Sequence, residues 1–334
     1  MRVSIVVCNF NYGLYLDQAI RSAVAQTHPD VEIIVVDDGS TDDSHAVIDR
    51  WRSRVIAICK ENGGQISAYN AGFERASGEV VIFLDADDFL YPDACRNVAG
   101  AFLAPDVAKV HYRLQLVGAD GTQLGTTIPR GLDRGDLGKD LRGGRLYQSA
   151  PGSGNAYRRS VLARLMPLVA DAEDRHGADF FAAYGVAMLG RVEAIEQPPL
   201  GGYRLQSEQA RTRLSFGNAD RRLPEPHRAL RRYKRLDALL RERLGPGFGV
   251  PSDFADFSVD KLGFAHVIFS APDYKAGVSA GASYFAGRLQ RAIRARPGST
   301  ATKIGLVGWS LAVLVLPRRF GLPVARYVCN PASR

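Results

Sequence analysis

Residues Phe83-Leu84-Asp85-Ala86-Asp87-Asp88 set carboxylates on alternate positions just beyond an apolar run. Alternate acids past a strand end can reach one divalent ion. Magnesium and manganese prefer such oxygen ligands, and magnesium typically takes one or two carboxylates plus substrate phosphates. An ion held there would neutralise a diphosphate as its bond breaks. The plainer reading of the same residues is a solvated acidic turn. An EF-hand loop is excluded, because Leu90 stands where that loop needs Gly. A second acidic group, Asp37-Asp38-Gly39-Ser40-Thr41-Asp42, follows another apolar run. Its carboxylates can accept from a base N–H or a ribose hydroxyl. Read blandly, Ser40, Thr41 and Asp42 only cap the next helix.

Other candidate chemistry is thinner. The histidines (28, 45, 111, 176, 227 and 266) show no metal-site spacing and are expected to be structural or exposed. Cys8, Cys59, Cys95 and Cys329 lie far apart with no CxxC pair. That argues against a disulfide framework and against structural zinc, and favours reduced thiols. Gly152-Ser153-Gly154-Asn155 lacks both a preceding strand and the GxGxxG spacing of a dinucleotide fingerprint.

The elements that must position these acids can be read from periodicity. Residues 3–8, 32–37, 55–59 and 80–84 are short apolar runs and are expected to be strands. Residues 14–26, 44–51 and 65–76 carry helical spacing between them. Strands that read as continuous apolar runs between helices predict a parallel sheet covered on both faces. In such sheets ligands bind beyond the carboxyl ends of the strands, where both acidic groups fall. Farther on, 107–117 and 123–128 read as strands joined by a hairpin, and 131–154 as a loop with at most a short helical turn. Residues 158–165 and 178–189 are predicted helices, 191–195 a strand, and 206–243 a basic helical appendage.

The chain has 334 residues, 46% of them hydrophobic and 23% charged, with 34 Gly and 17 Pro. These figures fit two domains, or one with an appendage, and exclude disordered and collagen-like classes. The apolar run at 3–8 is too short for a signal-peptide core, so the active domain is expected in the cytoplasm. Net charge is +8, and from Lys275 onward there are ten basic residues and no acidic one. Such a tail suits a polyanion or an anionic membrane surface. Residues 304–316 are apolar apart from Ser310, with Trp309 at mid-run, Lys303 before and Arg318-Arg319 after. Thirteen residues fall short of the ~20 that span a bilayer, so the segment is expected to lie in the membrane interface. Leu289 and Ile293 with Arg288, Arg291, Arg294 and Arg296 suggest a basic amphipathic helix beside it. The alternative is a C-terminal helix packed on the protein.

The ordered set Asn9-Phe10-Asn11-Tyr12, Tyr15-Leu16, Ala19-Ile20, Gln26-Thr27, Glu32 to Asp42, Asn62-Gly63-Gly64-Gln65, Asn70-Ala71-Gly72, Ala76-Ser77-Gly78-Glu79 and Phe83 to Asp88 resembles family 2 glycosyltransferases over about residues 3–206. The resemblance implies an α/β chain of the GT-A nucleotide-diphospho-sugar transferase fold, with a mostly parallel central sheet, helices on both faces and a C-terminal helical appendage. It divides the chain into a catalytic domain at 1–206 (nucleotide-sugar half 1–105, acceptor half 106–206), an appendage at 207–300 and a basic, apolar segment at 301–334.

The resemblance also implies roles. Asp38 would meet the nucleotide base, with the backbone around Val7 to Asn9 lining the same pocket. Gly64 and Gln65 would lie near the ribose or diphosphate. Asp85 would face the ribose or donor sugar, and Asp87 would hold Mg2+ or Mn2+. Many relatives carry Pro near position 8, where this chain has Cys8. An inverting transfer needs a carboxylate base. Asp179 is the candidate for it, with Glu173 and Asp174 as rivals, or Asp179 merely caps its helix. Tyr203-Arg204 matches a pair near the end of the family's domain, although Gln206 replaces a common His. The expected partners are a nucleotide-diphosphate sugar, with UDP favoured, a saccharide or lipid-linked acceptor in cell-surface polysaccharide assembly, and the inner face of the cell membrane. No nucleic-acid partner is expected. A Gln-x-x-Arg-Trp motif and multiple membrane spans are absent, which argues against a processive synthase. The competing readings are a sugar nucleotidyltransferase, which should show a Gly- and Arg/Lys-rich loop after the first strand, and a non-catalytic scaffold bound through the basic tail.

Overall fold

The computed structural model describes residues 1–171, 175–205, 226–270, 280–296 and 298–329. They fall into two units. The first comprises 1–143, 147–204 and 236–250, and the second the described parts of 144–146, 205–235 and 251–334.

The first unit is built on a seven-stranded sheet. Its strands are β1 (Val3–Asn9), β2 (Val31–Asp37), β3 (Ile56–Cys59), β4 (Val80–Asp85), β6 (Val107–Tyr112), β9 (Asn155–Arg158) and β10 (Arg191–Ile195). Their order is β10-β6-β9-β4-β1-β2-β3. β1 pairs in parallel with β2 and with β4, and β3 extends the same set. β9 runs antiparallel between β4 and β6. Val3, Ile5, Val6 and Val7 have no exposed surface, so both faces of β1 are covered. The chain builds outward from β1 through β2 to β3, then returns to β1's other side as β4. The strand order therefore reverses at β1, where open α/β sheets form their ligand crevice.

Helices α1 (Gly13–Val24), α2 (Ser44–Trp51) and α3 (Gln65–Arg75) connect these strands, and α4 (Ala94–Ala101) follows β4. A smaller sheet orders as β5-β11-β7-β8, from Phe89–Leu90, Gly201–Arg204, Leu114–Val117 and Gln123–Ile128. The single strand expected over 107–117 is two strands in different sheets. The break is at Arg113, whose backbone bonds to Ile195 and Leu200 rather than continuing either ladder. The helix expected from 158 is likewise shorter. Residues 155–158 form β9, and only Arg159–Leu162 is helical (α6, after the short α5 at Gly138–Arg142).

The second unit is helical. Helices Phe257–Ser270, Ala280–Ala295, Thr300–Val315 and Arg318–Cys329 contribute to one apolar core that includes Phe264, Phe285, Leu289, Trp309, Val313 and Ala325. Residues 301–329 therefore share a core with the helices before them instead of standing apart as a separate segment. Helix Ala280–Ala295 turns Leu289 and Ile293 inward. Arg288 is buried beside Asp260 at 2.7 Å and donates to the Phe254 carbonyl. The apolar face read from 288–296 is thus the seam of this core, with Arg288 buried beside it and Arg291 and Arg294 exposed on the other side.

Helix α3 approaches β1 closely at Gly72. A Cβ there would lie 2.2 Å from Val6 Cγ1 and 3.2 Å from Val36 Cγ2. Both neighbours are stiff β-branched side chains on central strands. Gly72→Ala gains helix propensity of about 1 kcal/mol but overpacks the seam by about 1–3 kcal/mol. A net loss of unfolding free energy is expected in urea titration; a gain would mean that α3 can move off the sheet.

Candidate active site

The parallel register sets the site. Asn9 pairs with Asp37, and Cys8 with Asp85, so the carboxyl ends of β1, β2 and β4 finish side by side. Asp37 is fully buried and accepts from Asn9 Nδ2 at 2.7 Å, from Ser40 N–H at 3.0 Å and from His45 Nε2 at 3.0 Å. Burial alone would raise its affinity for a proton, but these hydrogen bonds outweigh it and hold the carboxyl below its ordinary value. Asp37 therefore locks the turn from within, and Asn9 serves that lock. Asp42 does the same one turn later, accepting from Gly13 N–H and Ser44 N–H and so joining the starts of α1 and α2.

Asp38 faces the following loop. Its Oδ1 accepts from Lys60 Nζ at 2.7 Å and Gly63 N–H at 3.0 Å. Its Oδ2 accepts from Gly64 N–H at 2.7 Å and Asn62 Nδ2 at 3.3 Å. A carboxylate offers about four acceptor directions, and these four donors occupy them. A nucleotide base binding here must share or displace a donor, and the Lys60 ammonium is the mobile one. Val7 has no exposed surface, and β1 lies between β2 and β4 in the ladder.

Gly64 has φ +84°, and a Cβ there would lie 2.6 Å from Arg175 Cβ and 2.8 Å from its carbonyl oxygen. Only Gly allows both that backbone angle and this approach. The approach brings residues 175–178 against the start of α3. Ile66 N–H donates to the Arg175 carbonyl at 3.1 Å. Gln65 Oε1 accepts from Gly177 N–H at 2.9 Å and Ala178 N–H at 3.1 Å. Those amides open helix α7 (Ala178–Val186), which carries Asp179. Gln65, expected beside a ribose or diphosphate, has its side-chain oxygen bonded to the start of the Asp179 helix. Gly177 holds the N-cap position, so Asp179, in the first turn, is not the N-cap residue. Glu173 and Asp174 lie outside the described residues, as does Gln206.

The acids gather electrostatically. Burial, then the charges of Asp87 and Asp179, push the Asp85 carboxyl up to about 8. Asp88 is raised by burial and then by Asp87 and Asp85. The Cys8 thiol is raised by burial and then by Asp85 and Asp38, which puts it between the two acidic groups. The phenols of Tyr69 and Tyr203 are raised first by burial, and both feel Asp85 and Asp179. The ends of β1, β2 and β4 thus lie side by side, and the charges of Asp87 and Asp179 act on Asp85 there.

Residues outside the predicted site set also shape this region, and Gly152 and Ser153 fall in the stretch that the family resemblance puts in the acceptor pocket. Gly152 lies so close that a Cβ there would be 2.9 Å from Asp85 Oδ2. Ser153 Oγ accepts from Asp85 N–H at 3.1 Å. Tyr69 stacks on Phe83 with centroids 3.8 Å apart. Arg204 is buried; its Nε donates to the Asp87 carbonyl at 2.8 Å and its Nη1 to the Ala119 carbonyl at 2.9 Å, while its own N–H donates to Asp88 Oδ1 at 2.9 Å. Its guanidinium also lies 4.7 Å from the Tyr15 ring centroid. The Tyr203-Arg204 pair was the one signal that could have found it.

The donor set suits a hard divalent ion. It offers carboxylate oxygens, and burial first, then the charges of Asp87 and Asp179, raise the Asp85 carboxyl. Among the described residues no group of three or more His, Cys, Asp or Glu side chains is arranged to enclose an ion. Asp87 with Asp85 would supply one or two ligands, leaving the remainder to water and phosphate, as magnesium sites commonly do.

Residues 4–166 match the sequence profile of glycosyl transferase family 2. This region belongs to that family. An uncharacterized glycosyltransferase of Nostoc sp. is 39% identical over 212 residues, which is 61% of this chain and 65% of that protein. An uncharacterized glycosyltransferase of Haemophilus influenzae is 31% identical over 126 residues, 36% of this chain and 50% of that protein. The chain thus spans less than two thirds of the length of either relative. Among solved structures, the S. aureus TarS fragment 1–349 in complex with UDP aligns with a TM-score of 0.54 at 16% identity, covering 100% of this chain and 89% of that one. The fold is GT-A, with C-terminal helices.

Two outcomes follow from this geometry. Between pH about 4 and about 8, folded Asp85 keeps a proton that the unfolded chain has released, so this group makes stability fall as pH rises. In metal-free buffer, Asp85→Asn is expected to raise the thermal midpoint above wild type at pH 8, with the difference shrinking toward pH 4. Equal midpoints throughout would show that the carboxyl is not held in a low dielectric. Separately, Gln65→Ala removes the acceptor for two amides and is expected to cost about 1–2 kcal/mol. Hydrogen exchange should speed up at Gly177 and Ala178 in that variant and stay slow in Gln65→Glu.

Proposed function

We propose that the chain is a metal-dependent, inverting glycosyltransferase. It moves a sugar from a nucleotide-diphosphate sugar to a hydroxyl of a saccharide or lipid-linked saccharide. The observation that carries this reading is the meeting of Asp38, Asp85 and Asp87 at the ends of β1, β2 and β4, within the electrostatic reach of Asp179.

In this reading Asp38 orients the base, exchanging the Lys60 ammonium for the ligand's N–H. Asp85 and Asp87 would hold Mg2+ or Mn2+, which when bound offsets the charge of the leaving diphosphate. Gly152 leaves open the space beside Asp85 that a donor sugar requires. Asp179 takes the proton of the attacking hydroxyl on the face opposite the nucleotide. Two features favour Asp179. Gln65 and Gly177 satisfy the cap of its helix, so its carboxylate is not needed there. Its charge also reaches Asp85, Tyr69 and Tyr203, which line the crevice. UDP is the first nucleotide to test, because TarS, of the same fold, was solved with UDP and with UDP-GlcNAc. We place the reaction at the cytoplasmic face of the cell membrane, in cell-surface polysaccharide assembly. The charge and apolar pattern of the C-terminal helices supports that placement.

The test is UDP release from radiolabelled UDP-sugars with and without manganese. Release is expected to need the metal and to be lost in Asp87→Ala. Asp179→Asn is expected to lower kcat by about 10²-fold or more while UDP affinity stays within a few-fold of wild type. Metal-independent release, or full activity in Asp179→Asn, would refute the corresponding assignment.

A further inference from the structure

Helix Thr300–Val315 turns one edge into the core of its own unit, through Trp309 and Val313. The Trp309 indole N–H also donates to the Val324 carbonyl at 2.9 Å, pinning this helix to the next. The opposite side is apolar too, yet open. Ile304 is 67% exposed, Leu311 55% and Val315 76%, with Val307 and Leu314 also exposed. Positions 304, 307, 311, 314 and 315 follow the three-and-four spacing that draws one stripe along a helix. A soluble helix normally turns charged residues to this side.

The charges lie at the ends of the stripe and have one sign. Lys303 precedes it, and the exposed Arg318 and Arg319 follow it. Between residues 280 and 329 the sequence contains no Asp or Glu. A second copy of the chain meeting this face would bring cations together with no carboxylate from these helices to pair them. No described helix is long and apolar enough to cross a membrane. An apolar stripe ended by arginines instead matches the two layers of a bilayer interface, acyl chains beneath and anionic phosphates above. We infer that the stripe Ile304, Val307, Leu311, Leu314 and Val315 lies in the interface of an anionic membrane, with Arg318 and Arg319 on its headgroups. Both readings of this segment then hold in part: one edge packs on the protein, and the other meets lipid.

This inference deepens the membrane placement proposed above and makes no use of the acidic crevice, so the two can fail separately. The test is flotation of the full chain with phosphatidylcholine vesicles, with and without phosphatidylglycerol, and UDP binding measured on the same preparation. Wild type is expected to float with the anionic vesicles, less so as salt rises. Leu311→Glu/Val315→Glu should lower partitioning at least about tenfold at an unchanged thermal midpoint, since both side chains are exposed. Arg318→Gln/Arg319→Gln should lower it roughly 25-fold on anionic vesicles only, and this pair keeps the test valid should the first variant misfold. Absence of flotation by wild type, unchanged flotation in both variants, or a stripe-dependent dimer that vesicles do not compete with would overturn the inference. UDP binding that persists in those cases would leave the transferase reading standing.

Discussion

Like charges crowded into a poorly hydrated crevice are the constraint around which the first unit is organised. Asp85, Asp87 and Asp88 leave the end of β4 within four residues, and Asp179 adds its charge from a helix almost a hundred residues later. Burial raises the energy of ionised Asp85 and Asp88, and the neighbouring charges raise it further. A protein gains no stability from such a cluster. Its persistence is understandable where the carboxylates are to share a cation and a diphosphate, because the repulsion in the empty protein becomes affinity when the ligands arrive.

Holding such a cluster requires a stiff frame, and the frame is made of backbone. β1 is bonded on both sides, so the ends of β2 and β4 cannot slide relative to each other without breaking two ladders. Polar side chains then fix the turns beyond those ends. Asp37 and Asp42 are turned inward for this purpose, while Arg204 ties the Asp87-Asp88 turn to carbonyls of a distant loop. Loops that carry function on a rigid sheet commonly depend on such pins. The most economical is Gln65. The residue after the Asp38-bound glycines also caps the helix of Asp179, so the proposed nucleotide side and the proposed acceptor side share one short segment.

The helical unit solves a different problem. Four helices bury a common core, and Arg288 is paired there with Asp260 and Asp253. Its final helices nevertheless keep an apolar stripe and exposed arginines in place of a mixed charged surface. For a transferase of lipid-linked saccharides, a face that lies on the membrane would bring enzyme and acceptor into the same plane.

Much of this was legible in the residues themselves. The strands 3–8, 32–37 and 80–84 were readable because a strand covered on both faces must be apolar throughout, and the acids that end them stand out against that run. The ordered family motifs then pointed to the crevice. β9 was not legible. Asn155 and Arg158 look unlike sheet residues, and they are accommodated only because Asn155 bonds to the carbonyls of 150–152 and Arg158 to those of Phe102, Ala104 and Val107. The same holds for Gln65, for Arg204 and for the inward turn of Leu289. Periodicity reports which side chains share a face, whereas the partner that a polar group meets across a hundred residues is decided by packing. The sequence alone determined the class of fold and the acids to watch; the tertiary structure decided which of them turn inward as pins and which face the crevice, because hydrogen bonds between distant segments exist only once the sheet has closed the distance.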